Sequence, residues 1–253
     1  MFDAKKVKEE ITAWIADYFQ NNASPETKAV VGISGGKDSS VVAALCVAAL
    51  GKERVFGVLM PQGEQFDIGV SYAVCKALDI RYAEINIKEP VSTLYGEFDR
   101  TGLEQNDIVT FNTPARIRTV VLYAVSGAVG GRVANTSNLS EDWVGYTTKF
   151  GDTAGDFGPI SDLTATEVKA IGRELGLAPE FVDKTPIDGL CGKTDEDSWG
   201  FTYAVLDEYL RTGICKDEAV KEKIDKLHKR NLHKMSPLPI YRLSGQAGDR
   251  GVG

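Results

Sequence analysis

The spacing of apolar residues in the first third of the chain predicts alternating helices and strands. Over residues 3–20, apolar side chains recur every three or four positions between Lys and Glu, which is the pattern of an amphipathic helix. Segments of strand and helix length then alternate in the order strand Ala29–Ile33, helix to Leu50, strand Val55–Met60, helix Asp67–Leu78 and strand Arg81–Ile87. Three strands separated by helices predict an α/β fold with a doubly wound parallel sheet flanked by helices.

The middle of the chain continues this alternation and then becomes polar. Pro114–Val129 is predicted as a helix with Pro114 in its first turn and a stop at Gly130-Gly131. Arg132–Ala134 is predicted as a further strand. The segment Asn135–Pro159 is rich in Gly, Thr, Asp and Asn, and we interpret this long loop as functional.

The remainder of the chain is predicted to be mainly helical. Thr164 followed by Glu167 matches a capping box at the start of a helix over Leu163–Leu175. An irregular stretch, two helices and a Pro-containing tail follow, at Glu180–Gly200, Phe201–Leu210, Lys216–Lys229 and beyond. Because no repeat or low-complexity linker marks a boundary, we expect residues 1–253 to form a single domain.

Composition narrows the classes of protein to consider. The 253 residues include 29 Lys+Arg and 36 Asp+Glu, for a net charge of −7, which argues against recruitment of nucleic acid by overall charge. The longest apolar run, Val41–Leu50, has about half of the roughly 20 residues that cross a bilayer, so no membrane partner is expected. The N-terminus lacks the pattern of a signal peptide, and a cytoplasmic location is expected.

Cysteines and histidines do not form recognisable metal or redox motifs. The four cysteines are too far apart for a C-x-x-C motif, and we expect four free thiols: Cys46, Cys75, Cys191 and Cys215. The two histidines, His228 and His233, belong to no H-E-x-x-H pattern, so zinc chemistry is not indicated.

A Gly-rich octapeptide after the first strand carries the clearest chemical signal. Its residues are Gly32, Ile33, Ser34, Gly35, Gly36, Lys37, Asp38 and Ser39. Where a strand passes through glycines into a helix, free backbone N–H groups and the positive helix end favour a bound phosphate. The blander interpretation is a tight turn whose glycines only satisfy backbone geometry. Asp38 occupies the Ser/Thr position of a Walker A loop and would repel polyphosphate without a cation, which indicates Mg²⁺ and a nucleotide.

The octapeptide resembles the pyrophosphate-binding loop of the N-type ATP pyrophosphatases. Alone it would leave GMP synthetase, argininosuccinate synthetase, asparagine synthetase and tRNA-thiolating enzymes open. Further segments, in the same order over residues 28–240, resemble the ammonia-dependent NAD synthetases: Ala115–Arg118, Asn135–Glu141, Tyr146–Asp152, Gly155-Asp156 and His233-Lys234. The resemblance implies a ligase that uses ATP as co-substrate to amidate deamido-NAD with ammonia through an acyl adenylate.

The resemblance also implies site residues. Residues 32–39 and Thr136 would bind ATP, and Asp38 and Glu141 would bind Mg²⁺. The deamido-NAD site, shared across a homodimer, would contain Arg116, Lys149, Asp156, His233 and Lys234. The implied catalytic set is Asp38, Lys149 and Asp156, while either Asp152 or Asp156 could take the proton from ammonium. Two positions depart from the commonest family pattern: Ala165 and Ile187 replace a Lys and a Thr, and Lys184 or Lys193 could compensate.

Alternative interpretations accompany these assignments. Glu141 and Asp142 could be the acidic first turn of a helix, and Lys149 a solvated loop lysine. Arg116, expected at a helix start where the dipole disfavours a cation, suggests an external anion. A tRNA-adenylating enzyme and a nucleotide sensor without turnover remain as rival functions. By composition alone, loops 63–68, 98–108 and 187–197 are candidates to close over substrate.

Overall fold

The structure, a computed structural model, describes residues 2–183 and 195–241. Its strands are β1 Lys28–Gly32, β2 Val55–Leu59, β3 Arg81–Glu84 and β4 Gly131–Val133. The helices are α1 Ala4–Asn22, α2 Lys37–Leu50, α3 Ile68–Ala77, α4 Lys88–Thr101, α5 Asp107–Val129, α6 Leu139–Val144, α7 Ala165–Glu174, α8 Pro179–Val182, α9 Asp195–Trp199, α10 Tyr203–Thr212 and α11 Glu218–Met235. The predicted alternation of strands and helices is therefore confirmed.

Within the described residues, the four strands form one parallel sheet in the order β3-β2-β1-β4. Val30 of β1 lies opposite Phe56 of β2 on one side and Val133 of β4 on the other. The chain moves outward from β1 to β3 and then returns past β1 to reach β4. The order reverses between β1 and β4, and ligands of open α/β sheets bind at the carboxyl ends of the strands at such a reversal.

Strand β1 is buried on both faces, as expected for the centre of a parallel sheet. Ala29 and Val31 face the main apolar cluster, which α1, α2 and α7 also supply. The other face is turned toward α5, because a Cβ added at Gly32 would lie 3.6 Å from Leu122. Helices therefore cover both faces, and the predicted doubly wound architecture is confirmed.

Local sequence signals explain several helix ends. Asp3 caps α1 by accepting from the backbone N–H of Lys6 at 3.0 Å. Thr164 and Glu167 form the predicted capping box of α7, in which each side chain accepts from the other residue's backbone N–H. Gly130, in the left-handed conformation, ends α5 immediately before β4, as the Gly130-Gly131 pair predicted.

Several predicted boundaries are wrong. Helix α5 begins at Asp107 rather than Pro114, because Asn106 caps it with an acceptor for Val109 N. The predicted loop 98–108 is mostly helical: residues 98–101 end α4, which the sequence interpretation missed, and α5 starts at 107. Strand β3 ends at Glu84 instead of Ile87, and helices α8 and α9 lie within or overlap the stretch 180–200 that was predicted to be irregular.

A smaller apolar cluster packs against α6, inside the polar loop predicted over residues 135–159. Its buried members are Val144, Trp199, Phe201, Leu206 and Ile224, from α6, α9, α10, α11 and the turn before α10. The cluster anchors α6, which interrupts the long loop predicted over residues 135–159. In the part of the chain that the structure describes, no helix has the length and apolarity to cross a bilayer.

The cysteine prediction is confirmed for the described thiols. Cys46, Cys75 and Cys215 are free. Burial raises the pKa of Cys46 to about 12 and that of Cys75 to about 11, so both remain protonated near neutral pH. Cys191, Lys184, Ile187 and Lys193, and most of the predicted loop 187–197, lie outside the described residues.

Candidate functional site

The reversal of strand order brings the two chemistry-bearing segments to one edge of the sheet. The octapeptide loop follows β1, and the segment from Asn135 to Ser140 follows the neighbouring β4. The backbone N–H of Ala134 donates to Val30 O at 2.9 Å, which extends the pairing of the two strands toward this edge. Thr136, half-buried, lies in the second segment, at the same edge as the loop.

Hydrogen bonds within the octapeptide hold it in a compact turn. The Ser34 and Ser39 hydroxyls lie 3.1 Å apart, and Ser34 Oγ accepts from Gly36 N at 3.3 Å. The hydroxyls of Ser39 and Ser40 donate to Gly36 O, at 3.2 and 2.8 Å. Helix α2 begins at Lys37 without a side-chain cap, so its first N–H groups remain available to a ligand.

Gly35 is required at its position for two reasons. Its φ of +79° lies in the region that side-chain-bearing residues rarely adopt. A Cβ there would also lie 3.1–3.2 Å from Ser71 and Val70 at the start of α3. A side chain at this position would therefore require both a strained backbone and a small shift of α3.

The two predicted metal ligands come together although they are 103 positions apart in the sequence. Asp38 lies in the first turn of α2 and Glu141 in the first turn of α6. The Lys37 ammonium contacts both, at 2.7 Å from Asp38 Oδ2 and 3.5 Å from Glu141 Oε1, and the Lys37 side chain is only 2% exposed. The acidic first turn that the sequence left as an alternative is also present, so Glu141 has both features.

Two residues that the sequence interpretation did not assign to the site hold this pair. Asn138 caps α6 by accepting from Glu141 N at 3.1 Å, while its amide donates to Asp38 Oδ1 at 3.0 Å. Tyr203 donates its hydroxyl to Glu141 Oε1 at 3.3 Å. Asn three residues before Glu was a recognisable cap signal, whereas Tyr203, 62 residues from Glu141, had no local signal.

Helix α6 is fixed to α7 and α10 by buried polar contacts. Ser140 donates to Asp207 Oδ1 at 2.5 Å, and Asp207 Oδ2 accepts from Thr166 N at 2.8 Å. The backbone N–H of Ala165 donates to Ser140 Oγ at 3.0 Å, and Ala165 is itself buried. Ala165, where the family resemblance implies Lys, is thus part of the support of α6.

Four of the predicted dinucleotide residues form a second group beside the polar loop. Arg116 donates to Lys149 O at 3.2 Å, and the Lys149 amine donates to His233 O at 2.7 Å. Lys234 donates to Gly145 O and Thr147 O, at 2.7 and 2.8 Å. Desolvation by burial lowers the pKa of Lys234. The end of α11 is therefore joined to the loop that precedes Phe150.

Asp156 belongs to neither group. Its carboxylate accepts from Val133 N at 2.7 Å and from the Tyr123 hydroxyl at 3.4 Å, at the edge of β4. The expectation for Arg116 also needs correction, because Arg116 lies in the interior of α5 and not at a helix start. The dipole argument for an external anion at Arg116 is therefore wrong.

Two further carboxyls near the polar loop have raised pKa values. Burial, followed by the charge of Asp152, raises the pKa of Asp142 to about 7, and Asp142 Oδ1 is buried without a hydrogen-bond partner. Both carboxylate oxygens of Asp152 lie 3.1 Å from the single N–H of Thr148, and the residue remains accessible to solvent. The protein around it nevertheless raises the pKa of Asp152, chiefly by desolvation. The sequence did not reveal Asp142, since its pKa depends on burial.

The family profile and the most similar relatives that we compared identify the same family, the NAD synthases. The profile of the family described as NAD synthase matches residues 7–238. The NH(3)-dependent NAD(+) synthetase of Pyrococcus furiosus is 37% identical over 246 residues, which cover 92% of this chain and 93% of that protein. The NH(3)-dependent NAD(+) synthetase of Archaeoglobus fulgidus is 36% identical over 244 residues, 93% of this chain and 97% of its own.

Solved structures agree with the sequence comparison. The structure of NMN synthetase from Francisella tularensis superposes with a TM-score of 0.87 at 28% identity, over 96% of this chain and all of that one. The NH3-dependent NAD synthetase from Campylobacter jejuni gives a TM-score of 0.76 at 28% identity, with the same coverage. The fold is therefore shared over nearly the full length of these enzymes.

Proposed function

This chain belongs to the NAD synthase family, and from that premise we propose that its site amidates deamido-NAD with ammonia, converting ATP to AMP and pyrophosphate. The observation that carries the proposal is the arrangement at the reversal of strand order. There the Gly-rich loop of residues 32–39 and the carboxylates of Asp38 and Glu141 lie at one edge of the sheet, with the group of basic residues around Lys149 beside them. The enzyme is a carbon–nitrogen ligase of NAD biosynthesis that binds ATP.

The carboxylates of Asp38 and Glu141 fit a bound Mg²⁺. Their facing oxygens already share one cation, the Lys37 ammonium, and Mg²⁺ in nucleotide sites is commonly held by one or two carboxylates plus phosphate oxygens. Among residues 2–183 and 195–241, no group of three or more His, Cys, Asp or Glu could hold a metal, so ATP would complete the coordination. When bound, Mg²⁺ would neutralise phosphate charge as pyrophosphate leaves.

The remaining part of the ATP site positions the reacting groups. We assign residues 32–39 and Thr136 to ATP, with the loop N–H groups and the start of α2 directed to its phosphates. The nicotinate carboxylate attacks the α-phosphorus, pyrophosphate leaves, and an acyl adenylate forms. Ammonia then attacks the carbonyl carbon and AMP departs. Positioning two anionic substrates accounts for much of the rate in such a reaction, so the scheme needs no nucleophilic side chain.

The basic group is the proposed deamido-NAD site. Arg116, Lys149, His233 and Lys234 lie together, and the positive charge of Arg116 and the two lysines suits an anionic dinucleotide. Lys149 would exchange its bond to His233 O for a bond to substrate. Asp156 remains a predicted ligand, and it would have to release Val133 N and Tyr123 to reach the substrate.

Asp152 is the better candidate of the two carboxylates considered for the proton of ammonium. It is open to solvent, and desolvation by the surrounding protein raises its pKa, which favours it as a proton acceptor. The Asp156 carboxylate is instead bonded to the backbone of β4 at 2.7 Å. Transfer of the proton to Asp152 would leave ammonia free to attack the adenylate.

We also propose that the protein is a homodimer formed through α4 and α5. The 23-residue α5 has only Pro114 and Ser126 buried. Large apolar residues are exposed along and beside it: Leu94, Leu103, Ile108, Phe111, Val120 and Tyr123. A second copy would cover this face, as in isologous interfaces of about 800 Å² per partner. Light scattering should give twice the chain mass of 27.4 kDa, and Val120→Glu should give the monomer mass.

Two coarser expectations belong to the same proposal. Free thiols at Cys46, Cys75 and Cys215 are typical of a reducing compartment, which supports a cytoplasmic location. A single domain over 1–253 is supported by the contacts of α7, which packs on α2 of the main cluster and on α10 of the smaller one. Neither expectation affects the chemistry of the site.

The test of function is product formation with purified protein. We expect NAD, AMP and pyrophosphate in a 1:1:1 ratio from deamido-NAD, ATP, Mg²⁺ and ammonium. ATP binding without AMP would favour the sensor function instead. Because the NMN synthetase structure superposes with a TM-score of 0.87, the mononucleotide counterpart of deamido-NAD is the second candidate acceptor. The ratio of kcat/KM for the two acceptors decides between them, and a ratio in favour of the mononucleotide would overturn the choice of deamido-NAD.

A further inference from the structure

Lys37, in the proposed phosphate-binding loop of residues 32–39, is unusual because its side chain is buried between two carboxylates. Its side chain is 2% exposed, and its ammonium lies between Asp38 and Glu141, 5.4 Å from the centre of the Tyr203 ring. A buried ammonium requires charged or polar partners, because removal from water is costly. The two carboxylates therefore stabilise Lys37, and Lys37 in turn allows the two carboxylates to lie close together.

A metal held between Asp38 and Glu141 would lie beside the Lys37 ammonium. Asp38 Oδ1 already accepts from the Asn138 amide, so Oδ2, the oxygen 2.7 Å from the ammonium, is the oxygen left on that carboxylate. On the other carboxylate, Glu141 Oε1 faces the ammonium at 3.5 Å and also accepts from the Tyr203 hydroxyl at 3.3 Å. A divalent ion bound to both carboxylates would lie next to a positive charge in a poorly hydrated site, where like charges repel strongly. The ammonium and a metal would therefore compete for the pair.

We propose that Lys37 is a specificity-determining counter-ion, which competes with Mg²⁺ for the Asp38–Glu141 pair until the phosphates of ATP provide Lys37 with another partner. The inference rests on the proposed nucleotide function of the site. Lys37 is the first residue of α2 and follows Gly36 directly, so its flexible four-carbon stem begins at the uncapped helix N-terminus that the proposal assigns to phosphate. In this proposal, rotation of the side chain carries the ammonium from the carboxylates to a phosphate bound at the loop.

This competition has a consequence for binding order. In the nucleotide-free protein the Lys37 ammonium compensates charge on the pair, so free Mg²⁺ should bind weakly. With ATP present, the phosphates both attract the ammonium and add metal ligands, so metal and nucleotide should bind as a unit. Lys37 would thereby prevent occupation of the site by a divalent cation without its nucleotide.

Binding of Mn²⁺ as a paramagnetic probe tests the proposal without any turnover. The free ion gives a six-line electron paramagnetic resonance signal that is lost on binding, which yields a dissociation constant for wild type, Lys37→Met and Lys37→Arg in the absence of nucleotide. We expect Lys37→Met to bind Mn²⁺ at least tenfold more tightly than wild type, and Lys37→Arg to remain weak. Lys52→Met is the matched control, since Lys52 pairs with Asp79 on the surface, and it should leave the constant unchanged.

A measurement on the wild-type protein keeps the test valid if Lys37→Met does not fold, as judged by circular dichroism. Mg²⁺ alone should leave Tm unchanged, while Mg²⁺ with α,β-methylene-ATP should raise it. Equal Mn²⁺ affinity in wild type and Lys37→Met, or a Tm rise with Mg²⁺ alone as large as with the analogue, would overturn the proposal. These readouts do not involve deamido-NAD, so their failure is distinct from failure of the amidation assay.

Discussion

Gly145→Ala tests how α6, and with it Glu141, is held in place. Gly145 ends α6 with φ of +70°, and α11 passes so close that an added Cβ would lie 2.0 Å from Asn231 Cβ. Asn231 cannot turn away freely, because its contact atom adjoins the backbone and its amide donates to Val144 O and Leu227 O. The substitution must therefore move α6, α11 or both.

The magnitude follows from two separate costs. A left-handed conformation for a residue with Cβ costs about 1–2 kcal/mol. Overpacking of a tight contact adds about 1–3 kcal/mol, for a total of about 2–5 kcal/mol. For a chain of roughly this size each kcal/mol corresponds to a Tm change of about 2–4 °C. A loss of about 3 kcal/mol thus predicts a Tm about 6–12 °C below wild type.

Gly213→Ala provides the matched control. Gly213 also ends a helix, with φ of +72°, but an added Cβ there would meet nothing within 4 Å. Thermal unfolding followed by circular dichroism, at one protein concentration, should therefore show a loss of only about 2–8 °C for Gly213→Ala. Equal Tm losses in the two variants would refute the close approach of α6 and α11.

Three further predictions concern stability, pH and the metal pair. Thr164→Ala should lower Tm by about 2–4 °C, because it removes half of the α7 capping box at a cost of about 1 kcal/mol, and an unchanged Tm would contradict the cap. Since the folded protein raises the pKa of Asp142 to about 7, it binds more protons than the unfolded chain between about pH 4 and pH 7, so stability falls as pH rises through that window. Asp142→Asn should remove this dependence and gain about 2–4 kcal/mol at pH 8 in urea unfolding, with no gain below about pH 4; a gain independent of pH would contradict the assignment. Asp38→Asn and Glu141→Gln should each lower kcat at least 100-fold with a near-native circular dichroism spectrum, and activity within threefold of wild type in either would exclude the pair as metal ligands.

Much of the fold could be predicted because local signals agreed with the global arrangement. Apolar runs such as Ala29–Ile33 become central strands, and the Thr164/Glu167 pattern becomes a capping box. Pro114 predicts a helix start because proline is favoured in a first turn, but α5 begins at Asp107, where Asn106 is a strong N-cap residue. A proline in a helix interior is disfavoured, yet here the long helix continues through it.

The candidate site was only partly predictable, because its decisive features are contacts between distant segments. The sequence identified Asp38 and Glu141 through family resemblance, but not the buried ammonium of Lys37 between them. Tyr203 and the raised pKa of Asp142 depend on packing that no local pattern encodes. The sequence motifs thus identified Asp38 and Glu141 as site residues, whereas the position of the Lys37 ammonium between them could be seen only in the fold.

Transfer of ¹⁸O tests the central claim most directly, namely that the site activates a carboxylate by adenylation. Deamido-NAD labelled with ¹⁸O in the nicotinate carboxylate would be converted with ATP, Mg²⁺ and ammonium, and the products analysed by mass spectrometry. In the proposed reaction one carboxylate oxygen bonds to the α-phosphorus and leaves with AMP when ammonia attacks. The account predicts one ¹⁸O in AMP, one retained in the amide of NAD and none in pyrophosphate. Unlabelled AMP, or label in pyrophosphate, would contradict it.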